Sequence, residues 1–515
     1  MAGIRLSGMA SGLDTENIVK ELMKAQRLKT TKIEKNITSL EWKQDKWKSL
    51  NSKVYSLYTG GLTQLKMQGS FNAKKASSTD ESKVTATVSN SVPEGNHSVE
   101  VIGVANAQYI TGKKLDTTAS YSTTLKSLGM EDSIGSTLKI AVGDKAIKGG
   151  TSTIELKITE NTTIGDVVAS LQDAGVNASF DTANQRFFIS AKSSGMENAF
   201  TITSDSEEFQ FDKLGLSSVT ASFDDVNGKA TITVGDGVSK VDPSDSIIIY
   251  NGAKIRGSSN NISVNGMNIT VKEKTTSPIN IAVNKDTQAT YDMIKGFIKS
   301  YNDVLKELND AYNADSSKGY SPLTDEEKEA MSEDQITKWE DKIKASLLRR
   351  DGTLGDLINT IRTTMIHSVN VNGKSYSLAS FGINSIAYTE KGILHIAGDK
   401  DDALSASGEE KLMKAITDNP EAIMEVFTKL SGKLYNELNT KMKSNSLRSA
   451  LNVYNDKEIK DTITNYKSDL STLESKLSKM EDRYYKQFTA MEKAMSQLNS
   501  RSSSLASLLG TNSNS

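Results

Sequence analysis

From Ile459 to Leu498, apolar side chains return every three or four residues: Ile459, Ile463, Tyr466, Leu470, Leu473, Leu477, Met480 and Tyr484, then Phe488, Met491, Met495 and Leu498. Alternating steps of four and three make a heptad seam, the pattern of a helix that buries one stripe against partner helices. Between Tyr484 and Phe488 an extra step of four interrupts the alternation, which predicts a locally unwound, straight stretch there. Each large apolar side chain is worth roughly 1.5 to 3 kcal/mol on burial, so a helix with this stripe must find a partner. Periodicity leaves that partner open between helices of the same chain and helices of another.

The other end of the chain carries a matching stripe. Asp14 is a predicted N-cap ahead of Ile18, Val19, Leu22 and Met23, because its carboxylate can accept from the first free backbone amides. The N-terminal stripe then runs Ile18, Leu22, Ile33, Ile37, Leu40, Trp47 and Val54, mostly at helical spacing with polar residues between. The two stripes can pair inside one chain or join a bundle of several chains.

After Gly69 the period falls to two. Val84, Ala86 and Val88 alternate with Thr, and Val99 and Val101 alternate after the turn residues Pro93 to Asn96, which predicts a strand, a turn and a strand. From about 110 to 285, Gly, Asn, Asp, Ser and Thr break up short β-branched runs, and 154–190 reads as strand, short helix, strand, strand. A likeness of 230–285 to that segment fits a diverged repeat or merely shared β composition. Helical spacing resumes at Tyr291.

The predicted fold class is α+β multidomain, with helical, coiled-coil legs at both ends and a central, mostly β head of small domains. The predicted boundaries are 1–70 for an N-terminal leg segment, 71–110 for a β-hairpin joining leg to head, and 111–285 for the head. The head is expected to hold two small domains. Residues 286–420 form a mixed return segment of the leg and 421–515 a C-terminal coiled-coil leg. A chain of 515 residues exceeds what one hydrophobic core sustains, in keeping with several domains.

Charge and chemistry exclude several classes. The 62 basic and 64 acidic side chains nearly cancel, so no whole-chain field draws nucleic acid or an anionic membrane, and neither is a predicted partner. No stretch nears the 20 or so apolar residues of a membrane span, and the first thirty residues hold no secretory signal core. Composition alone favours a cytoplasmic protein and leaves export by a signal-less route open. With no cysteine, thiolate metal sites and cysteine nucleophiles are absent.

His97, His367 and His395 show no metal-ligand spacing and read as strand or surface residues. Asp399, Asp401 and Asp402 lack the glycine and distal glutamate of a calcium loop and read as a polar turn. No glycine loop cradles phosphate. No enzyme, cofactor or metal is predicted.

Long segments resemble the flagellar filament cap (FliD, hook-associated protein 2) family: LSGMASGLDTENIVKELMKAQR, EWKQDKWKSLNSKV and GSFNAKKASSTDESKVTATVS near the start, then INIAVNKDTQATYDMIKGFIKSYNDVLKELN and FGINSIAYTEKGILHIAGDKDDALSASGEEKLMKAITDNPEAIMEVF in the family's order. Residues 154–195 resemble the small motif of flagellar hook and filament proteins, while 110–150 and 196–240 are least recognisable.

The resemblance implies a protein that leaves through the flagellar export channel, with an export chaperone as a partner. It implies a ring-like homo-oligomer, with five subunits as the family expectation, that caps the filament tip and guides flagellin into place. Helical legs would meet the filament and the β head would form an exposed plate, open to an adhesin role. On that footing the seam from Ile459 to Tyr484 is expected to pair within the chain and the part beyond Phe488 with other chains.

Overall fold

The computed structural model describes residues 12–143 and 153–509; residues 1–11 of the predicted N-terminal leg, 144–152 of the predicted head and 510–515 of the C-terminal leg lie outside them. The chain forms two units, one from its two ends, up to Phe71 and from Thr287 onward, and one from Asn72–Asp286. In chain order the helices are α1 (Thr15–Thr59), α2 (Gly61–Leu65), α3 (Ile164–Asp173), α4 (Thr287–Tyr312), α5 (Asp325–Glu329), α6 (Glu333–Ser346), α7 (Gly352–Met365), α8 (Lys411–Asp418), α9 (Pro420–Lys441) and α10 (Asp456–Leu509).

The middle unit has two main cores. In the first, an antiparallel sheet runs β1 (Lys74–Ser78), β17 (Ile279–Lys285), β3 (Gly95–Gly103), β13 (Ser246–Tyr250), β14 (Ala253–Gly257). A three-stranded sheet of β15 (Asn261–Val264), β16 (Met267–Val271) and β2 (Val84–Val88) closes over it, and Val84, Val99, Ile248 and Ile269 meet between them. The predicted hairpin over 71–110 is therefore corrected: β2 ladders with β16, while β3 lies between β17 and β13. A central strand needs partners on both edges, and only 246–285 supplies them here, so Pro93 to Asn96 carry the chain from one sheet to the other instead of closing a hairpin.

The second core holds Leu138, Ile164, Leu171, Phe187 and Phe200. Around it stand a sheet of β6 (Thr153–Lys157), β5 (Thr137–Val142) and β9 (Phe200–Ser204), a sheet of β12 (Ser239–Val241), β4 (Tyr109–Thr111), β8 (Arg186–Ala191) and β7 (Val176–Asp181), and a hairpin of β10 (Thr220–Asp224) with β11 (Lys229–Thr233). The strand, helix, strand, strand order over 154–190 is present as β6, α3, β7 and β8, split between two sheets, with α3 started by a Thr163–Asp166 capping box. Residues 229–285 hold seven strands and no helix, so their likeness to 154–190 is compositional. The predicted 111–285 boundary also shifts, since 246–285 belongs with 74–103.

At the junction of the two cores Asp245 accepts from the Met196 amide at 2.8 Å and pairs with Arg256, whose Nη1 donates to the Asp225 carbonyl at 2.6 Å.

In the end unit α2, α4, α7 and α9 pack with the second half of α1 around Leu50, Leu62, Phe297, Tyr301, Ile361 and Phe427. Two short hairpins, β18 (Val369–Val371) with β19 (Lys374–Tyr376) and β20 (Ile383–Asn384) with β21 (His395–Ile396), cover one side. The predicted start of the coiled-coil leg at 421 is corrected to Asp456. Helix α9 sinks Ile423, Val426, Phe427, Leu430 and Leu434 into the globular core, and its spacing alone does not distinguish a core helix from a seam. The break falls in the turn after α9, where Leu451 takes φ +67°.

Candidate assembly site

Helices α1 and α10 form an antiparallel stem. Asp14 caps α1, accepting from the Asn17 amide at 2.9 Å. At the base of the stem Trp47 of α1 stacks on Tyr454, and the Asn51 side chain grips the turn before α10: its Oδ1 accepts from the Val453 amide at 2.8 Å and its Nδ2 donates to the Leu451 carbonyl at 3.1 Å. Further out, Lys467 meets Glu41 at 2.7 Å and Arg27 meets Glu481 at 3.3 Å, which fixes the register. Both ion pairs are substantially exposed and contribute at most about 1 kcal/mol each, so apolar burial holds the stem together.

That burial is partial. On α10, Ile463 is buried, while Ile459, Tyr466, Leu470, Leu473, Leu477, Met480, Tyr484, Phe488, Met491 and Met495 are half-buried; most positions between them are exposed, but Glu492 is 4% exposed and Thr462, Glu481, Tyr485 and Thr489 are half-buried. One partner helix covers one flank of the seam and leaves the other to solvent. Leu498 is 63% exposed and Leu505 58%. Helix α1 reaches back to Thr15 and the seam stays half-covered through Met495, so the intrachain pairing expected for Ile459 to Tyr484 extends past Phe488. Among the described residues, full exposure begins at Leu498.

On α1, Ile37, Trp47 and Val54 are buried, Ile18, Ile33 and Leu40 are half-buried, and Leu22 is 42% exposed. The stripe is corrected in its first turns. The inward face there is Thr15, Val19 and Met23, all 3% exposed or less, one position around the helix from Ile18 and Leu22. Val19 and Met23 have the same spacing as Ile18 and Leu22, and only tertiary packing selects between the two pairs. Ile18, Leu22 and Ala25 instead line an open groove with Tyr484, rimmed by Asp14 and Glu21. Helical spacing does not single out Asn51 or Tyr454; the one local signal at Asn51 is a polar residue beside the apolar positions Leu50 and Val54.

The histidines have local roles. His97 Nδ1 lies 2.8 Å from the Tyr250 hydroxyl, and exposed His367 faces the Thr363 carbonyl at 2.6 Å. His395 sits between two carboxylates, Asp402 at 2.5 Å and Glu390 at 3.1 Å. The Asp399 and Asp401 carboxylates each take the Lys295 ammonium of α4 at 2.6 Å. Those hydrogen bonds push the Lys295 pKa up and hold Asp401 below the usual carboxylate range. The polar turn at 399–402 is thus bolted to α4. Among the described residues no three His, Asp or Glu side chains are placed to hold a metal ion.

Two family models match this chain, the flagellar hook-associated protein 2 N-terminus over residues 11–108 and the flagellar hook-associated protein 2 C-terminus over 244–500. The chain belongs to the flagellar hook-associated protein 2 family. The flagellar hook-associated protein 2 of Halalkalibacterium halodurans is 22% identical over 537 residues, covering 98% of this chain and 99% of that protein. The A-type flagellar hook-associated protein 2 of Pseudomonas aeruginosa is 24% identical over 529 residues, covering 98% and 97%. A crystal structure of the flagellar cap protein FliD D1-D2-D3 domains from Escherichia coli aligns over 77% of this chain and 97% of that one, at 19% identity and a TM-score of 0.44.

Within the hook-associated protein 2 matches lie all of α1 and α10 as far as Ser500, so the stem is part of what the family shares; the second β core, from Tyr109 to Val241, lies between the matches. No helix among the described residues is long and apolar enough to cross a membrane.

Proposed function

We propose that this chain is a flagellar filament cap: exported through the flagellar channel, it assembles as a ring-like homo-oligomer, five subunits being the family expectation, at the extracellular tip of the filament. There it retains exported flagellin and promotes its polymerisation. The role is structural, without catalysis, and an export chaperone is its partner before secretion.

The observation that carries this reading is the half-covered seam from Tyr466 to Met495. An antiparallel pair with one flank of its stripe still open is built to accept a third helix, which flagellin or a neighbouring subunit supplies at the tip. The seam residues Ile459 to Leu498 and the stripe residues of α1 are the proposed assembly positions. Leu473→Asp puts a charge in the half-covered stripe and is expected to abolish or shorten filaments when it replaces the parent protein in a strain lacking the cap. Filaments of normal length from that strain overturn the proposal.

A second role rests on the middle unit. The outer face of the β12–β4–β8–β7 sheet exposes Tyr109, Phe188 and Val241 at 52%, 42% and 46%, a concentration of apolar surface on a sheet. Adhesion to host surfaces through this face predicts that Tyr109→Ser with Phe188→Ser lowers attachment of otherwise normal filaments; unchanged attachment sinks it.

A further inference from the structure

Arg362, on the last turn of α7, lines two adjoining grooves of the end unit. It is half-buried, and none of its guanidinium N–H groups has a hydrogen-bond or ion-pair partner among the described residues. A guanidinium offers five donors and keeps its charge at any physiological pH, so leaving it half-desolvated and unpaired is unfavourable.

The position is enforced. Gly392 passes so close that a Cβ there would stand 2.6 Å from Arg362 Nε, and its φ of +98° is glycine's region. The loop carrying Gly392 is tied to α4, where Asn302 donates to the Leu394 carbonyl at 2.7 Å and accepts from the Leu394 amide at 2.9 Å.

The surroundings define what would fit. Ile366 and Ile386, in the groove shared with Arg362, are 70% and 51% exposed, and Lys391 lines the second groove. Among the described residues no Asp or Glu lines either groove, and the loop's own Glu390 is engaged by His395. An unpaired cation between exposed apolar side chains selects a polypeptide that presents carboxylates around an apolar side chain.

This chain has such a segment. Asp325, Glu326, Glu327, Glu329, Glu333 and Asp334 are its densest run of acid. Lys35 takes Glu327 and Lys338 takes Asp334, whereas Glu329 and Glu333 are exposed with no partner among the described residues, on either side of half-exposed Met331. Capping boxes at Thr324–Glu327 and Ser332–Gln335 hold the turn in shape before any contact, which lowers the entropy lost on docking.

We propose that the Arg362 groove of one subunit receives the Glu329–Glu333 turn of a second copy, with Met331 between Ile366 and Ile386 and the two carboxylates on Arg362 and Lys391. Two different patches meet, so the contact is heterologous and propagates around a ring. It rests on the self-assembling cap reading and names one surface that does the assembling.

Sedimentation velocity on the full chain over a range of concentrations, in low and high salt, tests it. The parent is expected to self-associate, more weakly in high salt. Arg362→Glu and, separately, Ile366→Asp should weaken association by at least about thirtyfold. Combining Arg362→Glu and Lys391→Glu with Glu329→Arg and Glu333→Arg should restore it to within about threefold. Ile366 is exposed, so its variant reports on the groove even if the Arg362 variant folds poorly. Both single variants associating like the parent overturns this contact and leaves the cap reading standing on other surfaces. Recovery failing in the charge-swapped protein, with both singles impaired, overturns the choice of the Glu329–Glu333 turn. A parent that stays monomeric throughout overturns the contact and the ring together.

Discussion

The phenol of Tyr454 lies flat on the indole of Trp47, ring centroids 5.3 Å apart and planes within 4°. Trp47 is 2% exposed and Tyr454 3%, and the stack closes the stem where α1 enters the globular core and α10 leaves it. Tyr454→Ala is expected to cost roughly 3 kcal/mol or more, read as a lower urea midpoint, with faster amide exchange in the first turns of α10.

Asn51 makes the same junction polar. Asn51→Ala leaves the Val453 amide and the Leu451 carbonyl without their side-chain partner, an expected loss of about 1 to 3 kcal/mol in the same unfolding assay. Leu451→Gly acts in the opposite direction: at φ +67° a leucine is strained by roughly 1 kcal/mol, and glycine is expected to raise the midpoint.

Val19 and Leu22 separate stem pairing from the outer groove. Val19 is 1% exposed, so Val19→Asp is expected to unzip the outer stem, seen as lost helical ellipticity and unprotected amides around Tyr484 to Met495. Leu22→Asp lies on the open flank and should change stability by no more than about 0.5 kcal/mol. Equal destabilisation by the two would contradict the face assignment.

Asp245 joins the two cores of the middle unit through Arg256 and the Met196 amide. Removing one member of a largely buried pair leaves the other uncompensated. Asp245→Ala is expected to destabilise the middle unit by about 3 to 5 kcal/mol, monitored by thermal unfolding.

Acid should loosen the 399–408 turn. Burial raises the Asp402 pKa, but hydrogen bonds from His395, Ser405 and the Leu404 amide outweigh it and hold the carboxyl below its usual range. A depressed folded pKa means that this contribution is present above the unfolded carboxylate value of about 3.9 and is lost as pH falls through the lower folded value. Unfolding midpoints at about pH 3 and pH 6 should therefore differ less in Asp402→Asn than in the parent.

Long-period patterns were legible in the chain itself. Asp14 as N-cap, the helices carrying both stripes, and the strand–helix–strand–strand order at 154–190 all follow from spacing, since 3.6-fold and twofold periodicity are local properties of a backbone. Pairing was not. Nothing local to Val84–Val88 or Gly95–Gly103 says that their partners lie near 270 and 280, because strand partners are chosen by which distant edges remain unsatisfied once the core collapses.

The same division runs through the candidate site. The sequence by itself determined that an apolar stripe from Ile459 to Leu498 must be covered and that a second stripe at the other end could cover it. Only the tertiary structure decided that α1 covers one flank, turning Val19 and Met23 inward and leaving Leu22 outside, and that α9 belongs to the core instead of the leg. Helical spacing specifies a face to within about one position in each turn, and a neighbour's placement selects the face that loses its water.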